Sequence, residues 1–457
     1  MGSAAKNCLK KPKIVLVPYP AQGHVTPMLK FGLAMLSRGF QPIMVTPEFI
    51  HRRLIATSTD TNGIQLMSIP DGLDLGGAGA PDFFAIEKAM EEVMPSHLER
   101  LLHQEDEDGG VACVVIDLLA SWAIEVANRC GIPAAGFWTA MLATYRLIAA
   151  IPDMVHVGLI SDTGLPKNKG TACFLPDQPM LSTEFFPWLI GTQAARKGRF
   201  KFWTTALDRS RTLRWLLLNS FSEEHENSDD NHDQQNDLPK IFPVGPFNKH
   251  LAIKNPSFWK EDASCLEWLD NQNIDSVIYV SFGSWVSPIG ESKVRSLAAT
   301  LESLGRPFIW VLGAAWREGI PDGYLDSVLK QGKVVSWAPQ MQVLQHKAVG
   351  FFLTHCGWNS TMEAIQCRRR LLCYPVAGDQ FINCYYITHV WKIGARIEGF
   401  EQGDLEEGLT KLSKDSEING RLSRLHERTM GEEARGKIMA NLTALSDDLN
   451  GQTSETP

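Results

Sequence analysis

Lys13-Ile-Val-Leu-Val17, then Pro18-Tyr-Pro-Ala-Gln-Gly23, sets the grammar of this chain: a strand-length apolar run closed by a glycine- and proline-containing turn. A helix-like stretch follows over residues 26–37, stops at Gly39 and leads into a second strand-like run at 42–46. Strand, glycine turn, helix and strand in succession make a βαβ unit, because parallel strands need a crossover connection. The pattern recurs at 111–116, 132–137 and 215–219. Its recurrence predicts a parallel sheet covered on both faces.

Beyond residue 222 the composition changes abruptly. Residues 223–237 are almost wholly polar, including Asn227-Ser-Asp-Asp-Asn-His-Asp-Gln-Gln-Asn-Asp237. Such a stretch has no apolar face to bury and reads as a solvated, mobile loop. A second βαβ series opens at Val277-Ile-Tyr-Val-Ser281 and passes through a helix-like segment at 292–304. Strand-like runs continue at 307–312, 334–335, 350–354, 370–374 and 395–397. Two α/β halves of similar size emerge. Ligands of such sheets sit outside the carboxyl ends of the strands, so the cleft between the halves is the expected active site.

Of 457 residues, 44% are hydrophobic and 21% charged, enough apolar content for sizeable cores and too much for a disordered chain. Lys and Arg number 44 against 52 Asp and Glu, a net charge of −8. A nucleic-acid binder presents a basic stripe, so this balance argues against nucleic acid as a partner. No apolar stretch approaches the roughly 20 residues of a membrane span. The best one, residues 111–127, carries Asp117 and Glu125. The first apolar run has only strand length, so no secretory signal is expected there. Nine cysteines form neither a Cys-x-x-Cys pair nor a Cys/His zinc spacing, which favours a reducing, cytoplasmic location.

The densest chemistry lies between Trp337 and Gln380. The run Gly350-Phe-Phe-Leu-Thr354 ends at His355-Cys356-Gly357, and Trp358-Asn-Ser-Thr-Met-Glu363 follows. Strand, glycine turn and a helix opening with Asn359 and Ser360 make an anion site, where backbone amides and the helix dipole converge on negative charge. Glu363 stands about one turn inside that helix, too deep for a plain cap. It suits a ribose diol, as acids do in other nucleotide folds, or else is an exposed helix charge. Cys356 as a thiol catalyst is set aside, because it and the adjacent His355 point different ways. In the N-terminal half, His24 lies in the turn after the first strand and is a residue whose ordinary pKa suits proton transfer near neutrality. Asp117 ends an apolar strand, a poor place for a core residue and a good one for a cleft.

The box Trp337-Ala-Pro-Gln340, His355-Cys-Gly-Trp-Asn-Ser360, Glu363 and Asp379-Gln380 resembles the signature of plant family-1 UDP-sugar glycosyltransferases. Pro20-Ala-Gln-Gly23-His24-Val-Thr-Pro27 and Tyr279-Val-Ser-Phe-Gly-Ser284 extend the resemblance over nearly the whole chain. It implies the GT-B arrangement, two Rossmann-like βαβ domains whose parallel sheets face an interdomain cleft. The expected divisions are an acceptor domain at 1–240, a linker at 241–255, a donor domain at 256–440, and a tail at 441–457 packing back on the N-terminal domain. By resemblance, Trp337 stacks on uracil, Gln340 helps hold the nucleoside, Glu363 binds the ribose hydroxyls, and Ala338 and Gly357 belong to the donor-binding set. Ser284, His355, Asn359 and Ser360 surround the diphosphate. Trp358, Asp379 and Gln380 bind the sugar, Trp358 chiefly through its backbone, and Gln380 inclines the choice to glucose.

The same resemblance makes His24 and Asp117 a catalytic dyad for inverting transfer to a hydroxyl of a small lipophilic acceptor. It implies no prosthetic group and no metal, with a UDP-sugar, UDP-glucose in the first place, as co-substrate. A monomer is expected. Thr139, Phe185 and Trp188 are candidate acceptor-pocket residues, with ordinary core packing the alternative for the aromatics. Asp106-Glu107-Asp108 has the form of a metal-binding DxD but sits in a charge run before a glycine turn and reads as a solvated loop. Gly76-Gly-Ala-Gly79 lacks the preceding strand of a dinucleotide site. Arg368-Arg369-Arg370 replaces the small Gly- and Pro-containing turn usual in the family and reads as solubilising surface charge. A catalytically silent UDP-sugar binder, and transfer of another sugar or to C, N, S or carboxylate acceptors, stay open as alternatives.

Overall fold

The computed structural model describes residues 11–57, 62–73, 81–107, 110–172, 180–221, 239–247, 258–284, 289–313 and 316–453. The polar stretch 223–237 and the run Gly76-Gly-Ala-Gly79 lie outside them. Among these residues fifteen strands follow in chain order. They are β1 (Lys13–Val17), β2 (Gln41–Pro47), β3 (Gln65–Ile69), β4 (Val111–Asp117), β5 (Ala134–Trp138), the short β6 (Thr171–Ala172) and β7 (Leu181–Ser182), and β8 (Trp215–Leu218). Then come β9 (Lys240–Pro243), β10 (Val277–Ser281), β11 (Phe308–Val311), β12 (Gly332–Val335), β13 (Val349–Thr354), β14 (Arg370–Cys373) and β15 (Gly394–Arg396).

The first sheet runs β3-β2-β1-β4-β5-β8-β9 and the second β12-β11-β10-β13-β14-β15, with parallel pairing throughout both. The central strands β4 and β13 are buried along their whole length, as a sheet covered on both faces requires. In each sheet the chain order reverses beside the first strand, between β1 and β4 and again between β10 and β13. Such a reversal splays the flanking loops apart and leaves a crevice at the carboxyl ends. Each half therefore contributes one crevice.

Three local features differ from the sequence expectation. The first helix spans Gln22–Leu36, four residues earlier than expected, so His24 sits on its first turn instead of in a loop. Strands β3 and β9 at the two edges differ from the expectation, because β3 mixes polar and apolar residues with only Ile69 buried, and β9 is four residues long with only Phe242 buried. β9 belongs to the first sheet, which therefore extends into the segment expected as linker. The C-terminal helix, Glu432–Thr453, crosses back onto that sheet: Asn441 Nδ2 donates to the Pro243 carbonyl at 2.8 Å, and Asp448 accepts from Trp215 Nε1 and Lys240 Nζ. Among the described residues no helix is long and apolar enough to cross a membrane.

The arginine run is not mere solubilising charge. The Arg369 guanidinium donates to the carbonyls of Leu344, Gln345 and His346 and closes the C-terminal end of the helix Gln340–Gln345. It therefore steadies the helix that begins with Gln340. Arg368 holds the left-handed backbone (φ +52°) at the preceding turn, a conformation that costs a side-chain-bearing residue about 1 kcal/mol or more.

Candidate active site

The N-terminal crevice carries a dyad. Asp117 ends β4 fully buried, and its Oδ2 lies 2.7 Å from His24 Nδ1. Its second oxygen accepts the Leu119 amide at 2.9 Å, which fixes the carboxylate plane. A carboxylate only accepts, so the geometry assigns the proton to Nδ1 and leaves Nε2 as the free base of the imidazole. Thr139 Oγ1 stands 3.0 Å from the same Nδ1, and Tyr19 flanks the ring at 5.2 Å between centroids. Three strand ends, those of β1, β4 and β5, meet here.

The C-terminal crevice is a glycine-lined anion cradle. The helix Trp358–Gln366 starts after Gly357 with no side-chain cap, so its first amides are free for a ligand. A Cβ on Gly357 would come within 2.4 Å of His355 Nε2, and one on Gly283 within 2.7 Å, so both glycines are required by the position of that ring. Burial pushes the His355 pKa down to about 4, so it works as a neutral hydrogen-bonding group, and its Nδ1 is buried without a protein partner. Ser284 follows β10, the strand paired with β13, one residue after the Gly283 that packs against the His355 ring.

Deeper in, Gln340 Nε2 donates to Ser360 Oγ at 3.0 Å and to Glu363 Oε2 at 2.6 Å, while its oxygen accepts from Tyr279. Burial raises the Glu363 pKa, against the opposing pull of Lys30 and the Gln340 amide, so this acid is not a free surface charge. Ala338, two residues before Gln340, is buried, and Trp337 stays half-exposed. Asp379 is also raised by burial, partly offset by Asn383 and His24. Gln380 commits its oxygen to the Val376 and Ala377 amides at 2.9 Å and so holds the loop that precedes it.

Side-chain hydrogen bonds also tie the two walls of the cleft together. Pro27 lies five residues into the first helix and has no N–H for the Gly23 carbonyl. That carbonyl instead accepts Asn359 Nδ2 at 2.7 Å, from the first turn of the donor-side helix. The proline thus exposes an acceptor one residue before His24. Trp358 Nε1 donates to the Asn219 carbonyl at 2.9 Å, so its indole pins the two halves and only its backbone is left for a ligand.

Several placements were not readable in advance. Trp188, a candidate pocket residue, is fully buried, stacked on Phe186, and donates its indole N–H to the Gly164 carbonyl at 2.7 Å; it is core. Phe185 instead reaches across the cleft and stacks on Phe381 at 5.6 Å, next to Gln380. Asn383 escaped notice, yet it donates both to the Cys356 carbonyl and to Asp379 Oδ2, tying the anion loop to the following acid. The Asp-Glu-Asp run supplies Asp106 as a turn cap for the Val111 amide, and Asp108 lies outside the described residues. Cys356, Cys373 and Cys384 bring their sulfurs within 4.8 Å of one another in the core beneath the anion loop, a grouping their sequence spacing does not reveal.

Two switch-point crevices, one holding a histidine paired with a buried aspartate and one an uncapped helix N-terminus, form an arrangement suited to a transferase with an anionic donor. The family model described as UDP-glucoronosyl and UDP-glucosyl transferase matches residues 260–430, which contain all the donor-side residues above. UDP-glycosyltransferase 82A1 of Arabidopsis thaliana is 53% identical, over 96% of this chain and 99% of that protein. Flavonol 3-O-glucosyltransferase UGT76E12 of the same plant is 30% identical, over 93% of each. Among solved structures, UDP-glucose:anthocyanidin 3-O-glucosyltransferase in complex with UDP superposes with a TM-score of 0.81 at 22% identity, covering 97% of this chain and 100% of that one. The chain belongs to the plant UDP-glycosyltransferase family and has its GT-B fold; it is an enzyme of the hexosyltransferase type.

Proposed function

We propose that the enzyme transfers glucose from UDP-glucose to a hydroxyl of a small lipophilic acceptor, with inversion at the anomeric carbon. The observation that carries this reading is the junction at Gly23 and His24: the base is pinned to Asp117 at 2.7 Å, and the carbonyl before it is bonded to the donor-side helix. Base and leaving-group site are thereby held within one rigid contact. His24 Nε2 takes the acceptor hydroxyl proton while Asp117 stabilises the imidazolium that forms. The acceptor oxygen attacks the anomeric carbon from the face opposite UDP. The bond from that carbon to the diphosphate oxygen breaks, its electron pair leaves with UDP, and an α-linked donor gives a β-glucoside.

The leaving diphosphate is met by the amides at Trp358, Asn359 and Ser360, the Ser284 hydroxyl and neutral His355, a set of dipoles suited to a developing anion with no cation required. Trp337 stacks on uracil, Ala338 and Gln340 hold the nucleoside, Glu363 takes the ribose hydroxyls, and Asp379, Gln380 and the Trp358 backbone orient the sugar. Thr139 and Phe185 border the acceptor. In this reading residues 1–240 bind acceptor and 256–440 bind donor, in a cytoplasmic monomer. The relative named as a flavonol 3-O-glucosyltransferase supports phenolic and other lipophilic alcohols as the acceptor class.

The test is UDP release from UDP-glucose across a panel of flavonoid, terpenoid and hormone acceptors, with and without EDTA. Release with at least one acceptor, unaffected by EDTA and yielding a β-anomer by proton NMR, is expected. Tight UDP binding with no release on any acceptor supports the catalytically silent alternative.

A further inference from the structure

The residues around Trp337 carry a contact that the donor-site reading leaves unused. Trp337 sits in the loop between β12 and the helix Gln340–Gln345, where packing is needed to fix the ring. Trp259, outside the signature box, lies against it with ring centroids 4.6 Å apart and planes 31° from parallel. The same segment holds the Trp337 backbone, since the Asp262 amide donates to the Trp337 carbonyl at 2.9 Å. On its other side the segment is tied to the N-terminal half. The Phe258 amide donates to Gln22 Oε1 at 2.8 Å, one residue before Gly23, and the Arg53 guanidinium lies 5.9 Å from the Trp259 ring centroid.

A planar base inserted between two rings needs two van der Waals gaps, roughly 7 Å in all. The 4.6 Å separation leaves no such space, so a base stacking on Trp337 takes the face away from Trp259. We propose that Trp259 is a positioning residue for the donor nucleobase: it backs Trp337 from the linker side and, through Arg53 and Gln22, makes nucleotide affinity depend on the N-terminal half. The proposal rests on Trp337 being the uracil platform. Aromatic pairs contribute about three- to tenfold in binding when one ring is removed, and a cation over a half-exposed ring about two- to fourfold.

The experiment compares the parent with Trp259→Leu, Trp259→Phe, Arg53→Ala and Trp337→Leu, reading UDP Kd by calorimetry, UDP-glucose KM and kcat, acceptor KM and thermal midpoint. Trp259→Leu should raise UDP Kd and donor KM together by about three- to tenfold, with kcat and acceptor KM within about twofold. Trp259→Phe should restore most of the loss, and Arg53→Ala should raise donor KM about two- to fourfold. A general packing defect would instead lower kcat and the thermal midpoint while sparing that KM-against-kcat split. If Trp259→Leu is too unstable to assay, the Phe and Arg53 variants carry the test. Unchanged UDP affinity in Trp259→Leu overturns the proposal, and tighter binding overturns it too, because the ring would then be competing with the base. Trp337→Leu separates the two levels: unchanged UDP affinity there removes the uracil platform itself.

Discussion

Replacing Asp117 by Asn changes one oxygen of a buried carboxylate into an amide and keeps its volume. Oδ1 accepts the Leu119 amide and Oδ2 faces His24 Nδ1, so an asparagine that keeps the first contact turns its NH₂ toward the imidazole. Nδ1 must then become the acceptor, and the ring proton moves to Nε2, where it blocks proton abstraction. The imidazolium formed during transfer also loses its counter-charge. At about 4 Å and an effective dielectric of ~20, that interaction is of order 4 kcal/mol, or about 10³ in rate. General-base contributions of 10²–10⁴ bracket the same figure. We therefore expect kcat to fall about 10³-fold, with UDP Kd within about threefold of the parent, measured by calorimetry and a coupled UDP-release assay. A kcat within tenfold of the parent would refute the dyad as argued.

Other outcomes follow from single residues. Gly357→Ala places a methyl 2.4 Å from His355 Nε2 and should abolish measurable UDP binding while leaving the acceptor-side helix unchanged, as read by calorimetry and circular dichroism. Arg368→Gly relieves the cost of a left-handed conformation that only glycine adopts freely, at a side chain whose described hydrogen-bond partner is the half-buried His426, and should stabilise the fold by about 1 kcal/mol in urea titrations. His355 is buried and its folded pKa is depressed to about 4, so below the ordinary histidine value of ~6.5 the unfolded chain takes up the proton first. Its contribution to stability is therefore full above pH ~6.5 and declines by roughly 3 kcal/mol as pH falls to about 4. His355→Gln should flatten the unfolding midpoint against pH over that interval.

Much of this molecule is legible in its sequence because buried parallel strands announce themselves. Val-, Ile- and Leu-rich runs such as β4 and β13 have no polar face, and the glycine turns after β1 and β13 mark where the backbone must approach another group. Edge strand β3 carries no such signal, since only Ile69 of its five residues is buried. Cross-cleft contacts are harder still. Nothing local to Pro27 says that its missing N–H frees a carbonyl for Asn359, more than 300 residues away, and nothing local to Asn219 says that Trp358 will use its oxygen. Phe185 and Trp188 look alike in sequence, three residues apart. One crosses the cleft to Phe381 and the other fills the core, a choice made by tertiary packing alone.

His24 is the group whose removal most directly tests the proposed base joining the two crevices. His24→Ala removes Nε2 without touching Gly357, His355 or the helix that follows them. With UDP-glucose and a competent acceptor, we expect UDP affinity equal to the parent within about threefold and turnover lower by about 10³ or more. Turnover near the parent value, with donor binding intact, would contradict His24 as the base.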